Sequence, residues 1–170
     1  NIIMFDIDGA IYKGREQNNF AHEEIAKYTN LDCFKGNIKE GIKNADVFIG
    51  LSAPNLLSEE MVKSMNNKPI IFGLANPTPE IMPDEAKKYG AFITASGRSD
   101  FPNQINNSLV YPGLFNGVLK NNIKKITNEI KLNCAFALAS MVKEEELSVD
   151  YILPDALDRQ VPLTISNNVI

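Results

Sequence analysis

Two aspartates follow the first hydrophobic segment of the chain. Residues 2–5 (IIMF) are apolar, and Asp6, Asp8 and Gly9 come shortly after them. Carboxylates two residues apart at the end of a strand point to the same side. One of them could attack a phosphoryl group while the other acts as general acid or base. A single acid here could instead accept hydrogen bonds from the ribose of a dinucleotide, and a simple turn before Gly9 is the third interpretation.

The phosphoryl-transfer interpretation corresponds to the haloacid-dehalogenase-type phosphatases, whose first motif this D-x-D-G segment resembles. Asp6 would be the nucleophile, Asp8 the acid or base, and Mg²⁺ would bridge both carboxylates and the phosphate. The resemblance is local, because Ala10 stands where that family usually has Thr or Val. The acidic cluster that would complete the metal site is represented only by residues 84–85 and Asp100, without a suitably placed Lys. We keep this phosphatase as an alternative.

The dinucleotide interpretation requires a glycine-rich loop about 20 residues before the acid that contacts the ribose. The sequence contains no G-x-G-x-x-G segment, and it begins with Asn1 rather than Met. If Asp6 is the ribose-binding acid, we expect this loop to lie upstream of Asn1, in a part of the polypeptide that the chain lacks. Asp8 is then a turn residue.

Three further hydrophobic segments alternate with stretches of helical character. The apolar segments are residues 47–50, 70–74 and 91–94, and the predicted helices cover residues 22–28, 38–43 and 58–65, with another beginning at Pro83. Apolar segments without alternation are typical of parallel strands that are covered on both faces. We therefore predict an α/β fold, a Rossmann-like doubly wound parallel sheet that is incomplete at its N-terminus. Apolar periodicity predicts a long C-terminal helix over residues 123–146 and the start of another over residues 161–170.

Polar, turn-rich segments follow the predicted strands, and ligands of open α/β sheets bind at this carboxyl edge. Gly50 is followed by small residues that would let the backbone approach a ligand, although a tight turn would use the same residues. Asn76 precedes two prolines that restrict the backbone, so its amide is either a positioned donor or a cap. Asn106 and Asn107 end an amide-rich stretch that could orient a small dicarboxylate or form a solvated loop.

Taken together, these edge segments resemble the bacterial-type malic enzymes. The resemblance rests on residues 46–54 (DVFIGLSAP), 74–81 (LANPTPEI), 96–107 (SGRSDFPNQINN) and 111–113 (YPG), and it extends over residues 2–154. It implies oxidation of L-malate with NAD or NADP and decarboxylation to pyruvate and CO₂, assisted by Mg²⁺ or Mn²⁺. It also implies that residues 1–170 are the NAD(P)-binding domain. The general base, general acid, metal ligands and glycine-rich loop would all lie outside this chain.

The resemblance further implies roles for individual residues. Asp6 would contact the adenosine ribose, and Asn76 would lie near the nicotinamide and the substrate. The implied cofactor-binding residues are Asp6, Gly50, Ser52, Ala53, Asn76 and Asn106, and the implied substrate-binding residues are Asn76, Asn106 and Asn107. No catalytic residue and no metal ligand is expected within the chain.

NAD is expected over NADP. The NADP-using members of the family often carry a Lys shortly before the helix that follows the ribose turn, whereas this chain has Gln17 there. In addition, Asp6 would repel a 2′-phosphate. Lys13 and Arg15 are the nearby cations that could still reach such a phosphate.

The bulk properties are those of an ordinary globular domain, with 170 residues, 44% hydrophobic content and a formal net charge of −4. No basic patch indicates a nucleic-acid partner, and no apolar run approaches the roughly 18–20 residues of a membrane span. Cys33 and Cys134 are expected to be reduced, buried thiols of a cytoplasmic protein. The family resemblance suggests a homodimer, and a catalytically silent remnant domain is a further alternative.

Overall fold

The computed structural model describes residues 1–170, and the chain begins with a hairpin. Strands β1 (Phe5–Asp6) and β2 (Gly9–Ala10) pair antiparallel in a two-stranded sheet of their own. The prediction that residues 2–5 form a strand of the parallel sheet was therefore wrong. The reason is local pairing, since the carbonyl of Met4 accepts a hydrogen bond from the amide of Ile11 at 2.8 Å.

Two short helices follow the hairpin. Helix α1 (Phe20–Ile25) begins after Asn19, and helix α2 (Ile38–Gly41) begins after Asn37. Both asparagines accept hydrogen bonds from free amides of the first helical turn, which is the preferred N-cap chemistry. Part of the asparagine content of the chain is thus explained by helix capping.

The main sheet contains three parallel strands. Strands β3 (Val47–Gly50), β4 (Ile70–Gly73) and β5 (Ile93–Ser96) lie side by side in that order. Helix α3 (Glu59–Lys63) connects the first pair and helix α4 (Pro83–Tyr89) the second. Because all three strands run in the same direction, their carboxyl ends lie at one edge, and the predicted Rossmann-like α/β fold is confirmed.

One face of this sheet is buried and the other is not. Phe48 and Ile71 belong to a hydrophobic core that also contains side chains from α3 and α4. On the opposite face, the exposed fractions of Val47 and Ile49 are 47% and 60%. Within residues 1–170 only one of the two faces is covered as predicted, because the connecting helices α3 and α4 pack on the same side of the sheet.

Three helices build a second core in the C-terminal part of the chain. Helices α5 (Tyr111–Lys120), α6 (Asn128–Ala139) and α7 (Gln160–Asn167) contribute most of its buried side chains. Helix α7 confirms the predicted helix over residues 161–170, but the helix predicted over residues 123–146 was too long. The observed helix α6 begins only after Thr127, whose side chain caps the amide of Ile130, and α6 ends at Ala139.

The two cysteines differ in their surroundings. Cys134 is buried in the second core, and this burial raises the pKa of its thiol. Cys33 is exposed, so its predicted burial was wrong; it lies in a turn with φ 52°. None of the helices has the length and apolar content that crossing a membrane requires.

Candidate functional site

The carboxyl edge of the sheet, formed by residues 50–53, 74–76 and 96–98, carries most of the predicted site. Gly50 is buried at the end of β3, while Ser52 and Ala53 are exposed in the loop that follows. A side chain at Gly50 would overlap the carboxyl group of Glu80. The backbone of this segment is therefore exposed to solvent at Ser52 and Ala53 and packed closely against Glu80 at Gly50.

Asn76 and Asn106 come together at the end of β5. A Cβ atom placed on Gly97 would lie 2.9 Å from Nδ2 of Asn76, and Nδ2 of Asn106 donates to the carbonyl of Gly97 at 3.4 Å. Both amides thus lie close to Gly97, and a larger residue at this position would displace Asn76. The Asn76–Pro77 peptide is cis.

The two adjacent asparagines in the amide-rich stretch are placed differently. Asn106 is half-buried, and its Oδ1 accepts from the amide of Ser108 at 3.0 Å, so it also caps the short 3-10 turn Asn107–Leu109. Asn107 is exposed. Asn106 therefore has a structural role alongside the predicted binding role, and Asn107 remains open to a ligand.

Asp6 lies in the hairpin, and its hydrogen bonds go to residues of the hairpin region. The buried guanidinium of Arg15 binds both carboxylate oxygens, with Nη1 2.8 Å from Oδ1 and Nη2 donating to Oδ2. This hydrogen bonding lowers the pKa of Asp6 and raises the pKa of Arg15. Asp8 is an exposed turn residue whose amide donates to Oδ1 of Asp6 at 2.9 Å. His22 Nδ1 lies 3.7 Å from Oδ2 of Asp6.

Comparison with known proteins shows what the whole chain is similar to. The family model described as "Malic enzyme, NAD binding domain" matches residues 1–170. The bifunctional malic/malolactic enzyme of Bacillus subtilis is 47% identical over 170 residues, and the NADP-dependent malic enzyme of Salmonella typhimurium is 39% identical over 181 residues. The crystal structure of the NAD-dependent malic enzyme of Thermotoga maritima superimposes with a TM-score of 0.92 at 39% identity.

The chain belongs to the malic enzyme family. It matches the NAD-binding domain of that family and accounts for only part of each relative. The matches cover 99% of this chain but 42% of the Bacillus subtilis protein, and 98% of this chain but 24% of the Salmonella typhimurium protein. For the Thermotoga maritima structure the corresponding shares are 99% and 44%.

The family assignment and the geometry of Asp6 both disfavour the phosphatase alternative. A nucleophilic carboxylate needs a free oxygen aimed at the phosphorus, whereas both oxygens of Asp6 are held by Arg15. The structure also contains no group of three His, Cys, Asp or Glu side chains that could hold a metal ion.

Two residues of this malic enzyme domain have contacts that the sequence did not predict. Glu80 is completely buried, and its carboxylate accepts from the amide of Ser52 at 2.6 Å, the hydroxyl of Ser52 at 3.2 Å and the amide of Ala75 at 3.1 Å. Arg15 was considered only as a cation for a phosphate. The available signal for Glu80 was its position, since an acid in an otherwise apolar segment next to the carboxyl edge requires partners.

Proposed function

We propose that residues 1–170 are the NAD(P)-binding domain of a malic enzyme that converts L-malate to pyruvate and CO₂ while reducing a nicotinamide dinucleotide. The family match over the whole chain supports this domain assignment. The observation that carries the site is the convergence of Asn76 and Asn106 on Gly97, at the carboxyl edge where dinucleotides bind in Rossmann-like folds.

The residues of the carboxyl edge suit such a ligand. The dinucleotide, when bound, accepts the hydride that leaves C2 of malate. The backbone of Gly50, Ser52 and Ala53 would line the cofactor, because Gly50 has no side chain and the following loop is exposed. Asn76 and Asn106 would donate neutral hydrogen bonds to the carboxamide of the cofactor or a carboxylate of the substrate.

The rest of the proposal concerns the remaining predicted residues and the groups outside this chain. Asp6 would accept from the adenosine ribose through Oδ2, since Oδ1 already accepts from Arg15 and from the amide of Asp8. Asn107 would contact the substrate. The general acid, the general base and the ligands of Mg²⁺ or Mn²⁺ would come from residues outside this chain. A homodimer in the cytoplasm completes the proposal, and light scattering on the full-length polypeptide tests the dimer.

We propose that this enzyme prefers NAD to NADP. A 2′-phosphate requires a free cation, and Arg15 is not free because its side chain is 3% exposed and donates to Asp6, Asn18 and two backbone carbonyls. Lys13 is the exposed cation that remains. On the full-length polypeptide we expect a higher kcat/KM with NAD than with NADP, and the opposite order would contradict this preference.

The proposed site is tested by Asn76→Ala in the full-length polypeptide. Removing the amide is expected to lower kcat/KM for malate by about a hundredfold, because two hydrogen bonds of roughly 1.5 kcal/mol each to reacting groups are lost. Asn116→Ala, an exposed change in α5, is the control and should retain wild-type activity. Equal activity of both variants would show that Asn76 is not part of the site.

A further inference from the structure

Glu80 is the only fully buried acidic residue of the chain, and it lies beneath the carboxyl edge. Its exposed fraction is 0%, and it forms no ion pair. A carboxylate without a counter-ion is costly to bury unless hydrogen bonds replace those lost from water. The donors that surround Glu80 therefore show what keeps it in place.

These donors belong to equivalent positions of two neighbouring loops. The parallel register pairs Gly50 with Gly73, and Ser52 and Ala75 each lie two residues beyond those strand ends. The amide of Ser52 donates to Oε1 of Glu80 at 2.6 Å, and the amide of Ala75 donates to Oε2 at 3.1 Å. Each carboxylate oxygen thus holds one loop, so this side chain joins the two loop backbones beyond their last direct contact, the hydrogen bond from the amide of Leu74 to the carbonyl of Gly50 at 3.0 Å.

The backbone around Glu80 strengthens this arrangement. The carbonyl of Glu80 accepts from the amide of Leu57 at 3.0 Å, and the carbonyl of Pro79 accepts from the amide of Asn55 at 3.0 Å. Gly50 leaves the space that the carboxyl group occupies. Meanwhile Ser52 and Asn76 are exposed on the outer side, where a ligand would lie.

We propose that Glu80 is a positioning residue of the dinucleotide site, which holds loops 50–53 and 74–76 at the separation that the cofactor requires. The inference rests on the proposed function. Glu80→Gln keeps the size of the side chain but replaces one acceptor oxygen with an NH₂ donor. That donor would face the amide of Ser52 or of Ala75, so one of the two loops would lose its partner.

The experiment measures NAD binding by calorimetry and amide hydrogen exchange by mass spectrometry, both on the full-length polypeptide. Glu80→Gln is expected to raise the Kd for NAD about tenfold, the effect of one lost charge-assisted hydrogen bond, and to speed exchange in loop 50–53 or 74–76. Glu80→Asp keeps the carboxyl group, but its shorter side chain cannot reach both loops, so it should shift the Kd and the exchange rates in the same direction as Glu80→Gln.

Gly117→Ala, within the second core, serves as the control for lost stability. It should lower the melting temperature while leaving the Kd for NAD and exchange in both loops unchanged. Wild-type Kd and exchange in both Glu80 variants would overturn the inference, and so would a rise in Kd for Gly117→Ala that matches theirs. A wild-type protein that binds no NAD would instead contradict the proposed function, and the exchange rates would still decide whether Glu80 holds the loops.

Discussion

At the scale of single residues, Arg15 has the most extensively bonded side chain of the hairpin region. Its Nε donates to Oδ1 of Asn18 at 2.9 Å, and its Nη1 donates to the carbonyls of Gly9 and Ala10 at 3.2 and 3.3 Å in addition to Asp6. The guanidinium thereby joins both strands of the hairpin to the loop before α1. An ammonium group cannot reproduce these planar, divergent hydrogen bonds.

Arg15→Lys is therefore expected to lower the free energy of unfolding by about 2 kcal/mol, because a buried donor network is broken and Asp6 loses its bidentate partner. Urea unfolding of the 170-residue chain measures the change. Lys39→Met is the matched control, since Lys39 forms an exposed ion pair with Glu60, and exposed pairs contribute little. If the two variants have the same unfolding midpoint, the stabilising role of Arg15 is wrong.

The lowered pKa of Asp6 predicts a pH dependence of stability. Arg15 favours the ionised carboxylate of Asp6 in the folded state. The stability that this ion pair contributes is therefore complete above the unfolded-state pKa of about 4, and it is lost as the pH falls through the lower folded-state pKa. The difference in unfolding free energy between wild type and Asp6→Asn should therefore shrink as the pH is reduced from 7 towards about 3. A difference that stays constant over this range would contradict the assignment.

The residues of the carboxyl edge could be predicted from the sequence, but the groups that hold them could not. Asn76 could be placed at this edge because it follows a predicted strand and parallel strands end at the same edge, whereas Asn106 drew attention as part of an amide-rich stretch, and the family resemblance implied the binding roles of both. The partners of Glu80 could not be predicted, since Ser52 lies 28 residues away and nothing local predicts that contact. The pairing of Asp6 with Arg15 was missed for the same reason, as it requires the fold of the hairpin.

At the scale of elements, the contact between α5 and α7 depends on two glycines. A Cβ atom on Gly117 would lie 2.8 Å from the carbonyl oxygen of Ser166 and 2.5 Å from Cβ of Val169. A Cβ atom on Gly113 would lie 2.6 Å from Cβ of Ile165. The two helices thus approach each other more closely than any larger residue at these positions would allow.

Gly117→Ala tests this close approach, because the substitution either raises or lowers the free energy of unfolding. An alanine within a helix normally stabilises it by about 1 kcal/mol relative to glycine, but overpacking of a core costs about 1–3 kcal/mol. We expect the overpacking to prevail, so that the free energy of unfolding falls, as measured by urea denaturation. Asn116→Ala on the exposed side of the same helix should not destabilise, and a stabilised Gly117→Ala variant would show that α5 and α7 are further apart.

The boundaries of elements were less predictable than their existence. The strands around Phe48, Ile71 and Thr94 were located because apolar segments of this length bounded by turns indicate buried strands. The long predicted helix extended past both ends of α6 because apolar periodicity continues to Met141, whereas the cap at Thr127 fixes the start. The hairpin was missed because residues 2–5 have the composition of a buried strand.

At the scale of the whole molecule, Asn103 joins the sheet to the C-terminal part of the chain. Its Nδ2 donates to the carbonyls of Thr94 and Val149 at 3.0 and 2.9 Å, and its Oδ1 accepts from the amide of Ile152 at 2.9 Å. The side chain is buried. Its three hydrogen bonds connect β5 with residues 149–152, which follow the second core's helix α6.

Asn103→Ala should lower the free energy of unfolding by about 3 kcal/mol, because three backbone groups lose their partners at a buried position. Chemical denaturation of the chain measures the loss. Lys87→Ala is the control across the same junction, since it removes an ion pair with the exposed Asp150 and should change the midpoint little. Equal effects of the two variants would mean that Asn103 does not hold this junction.

We propose that this chain supplies the cofactor-binding part of a malic enzyme and that the remaining catalytic groups lie outside it. Malate-dependent formation of NADH, with Mn²⁺ present, tests the claim most directly when the full-length polypeptide and the isolated residues 1–170 are compared. We predict NADH, pyruvate and CO₂ in equal amounts from the full-length polypeptide, and no turnover and only weak NAD binding by the isolated chain. Turnover by residues 1–170 alone, or a full-length polypeptide that is inactive with malate and both NAD and NADP, would contradict the account.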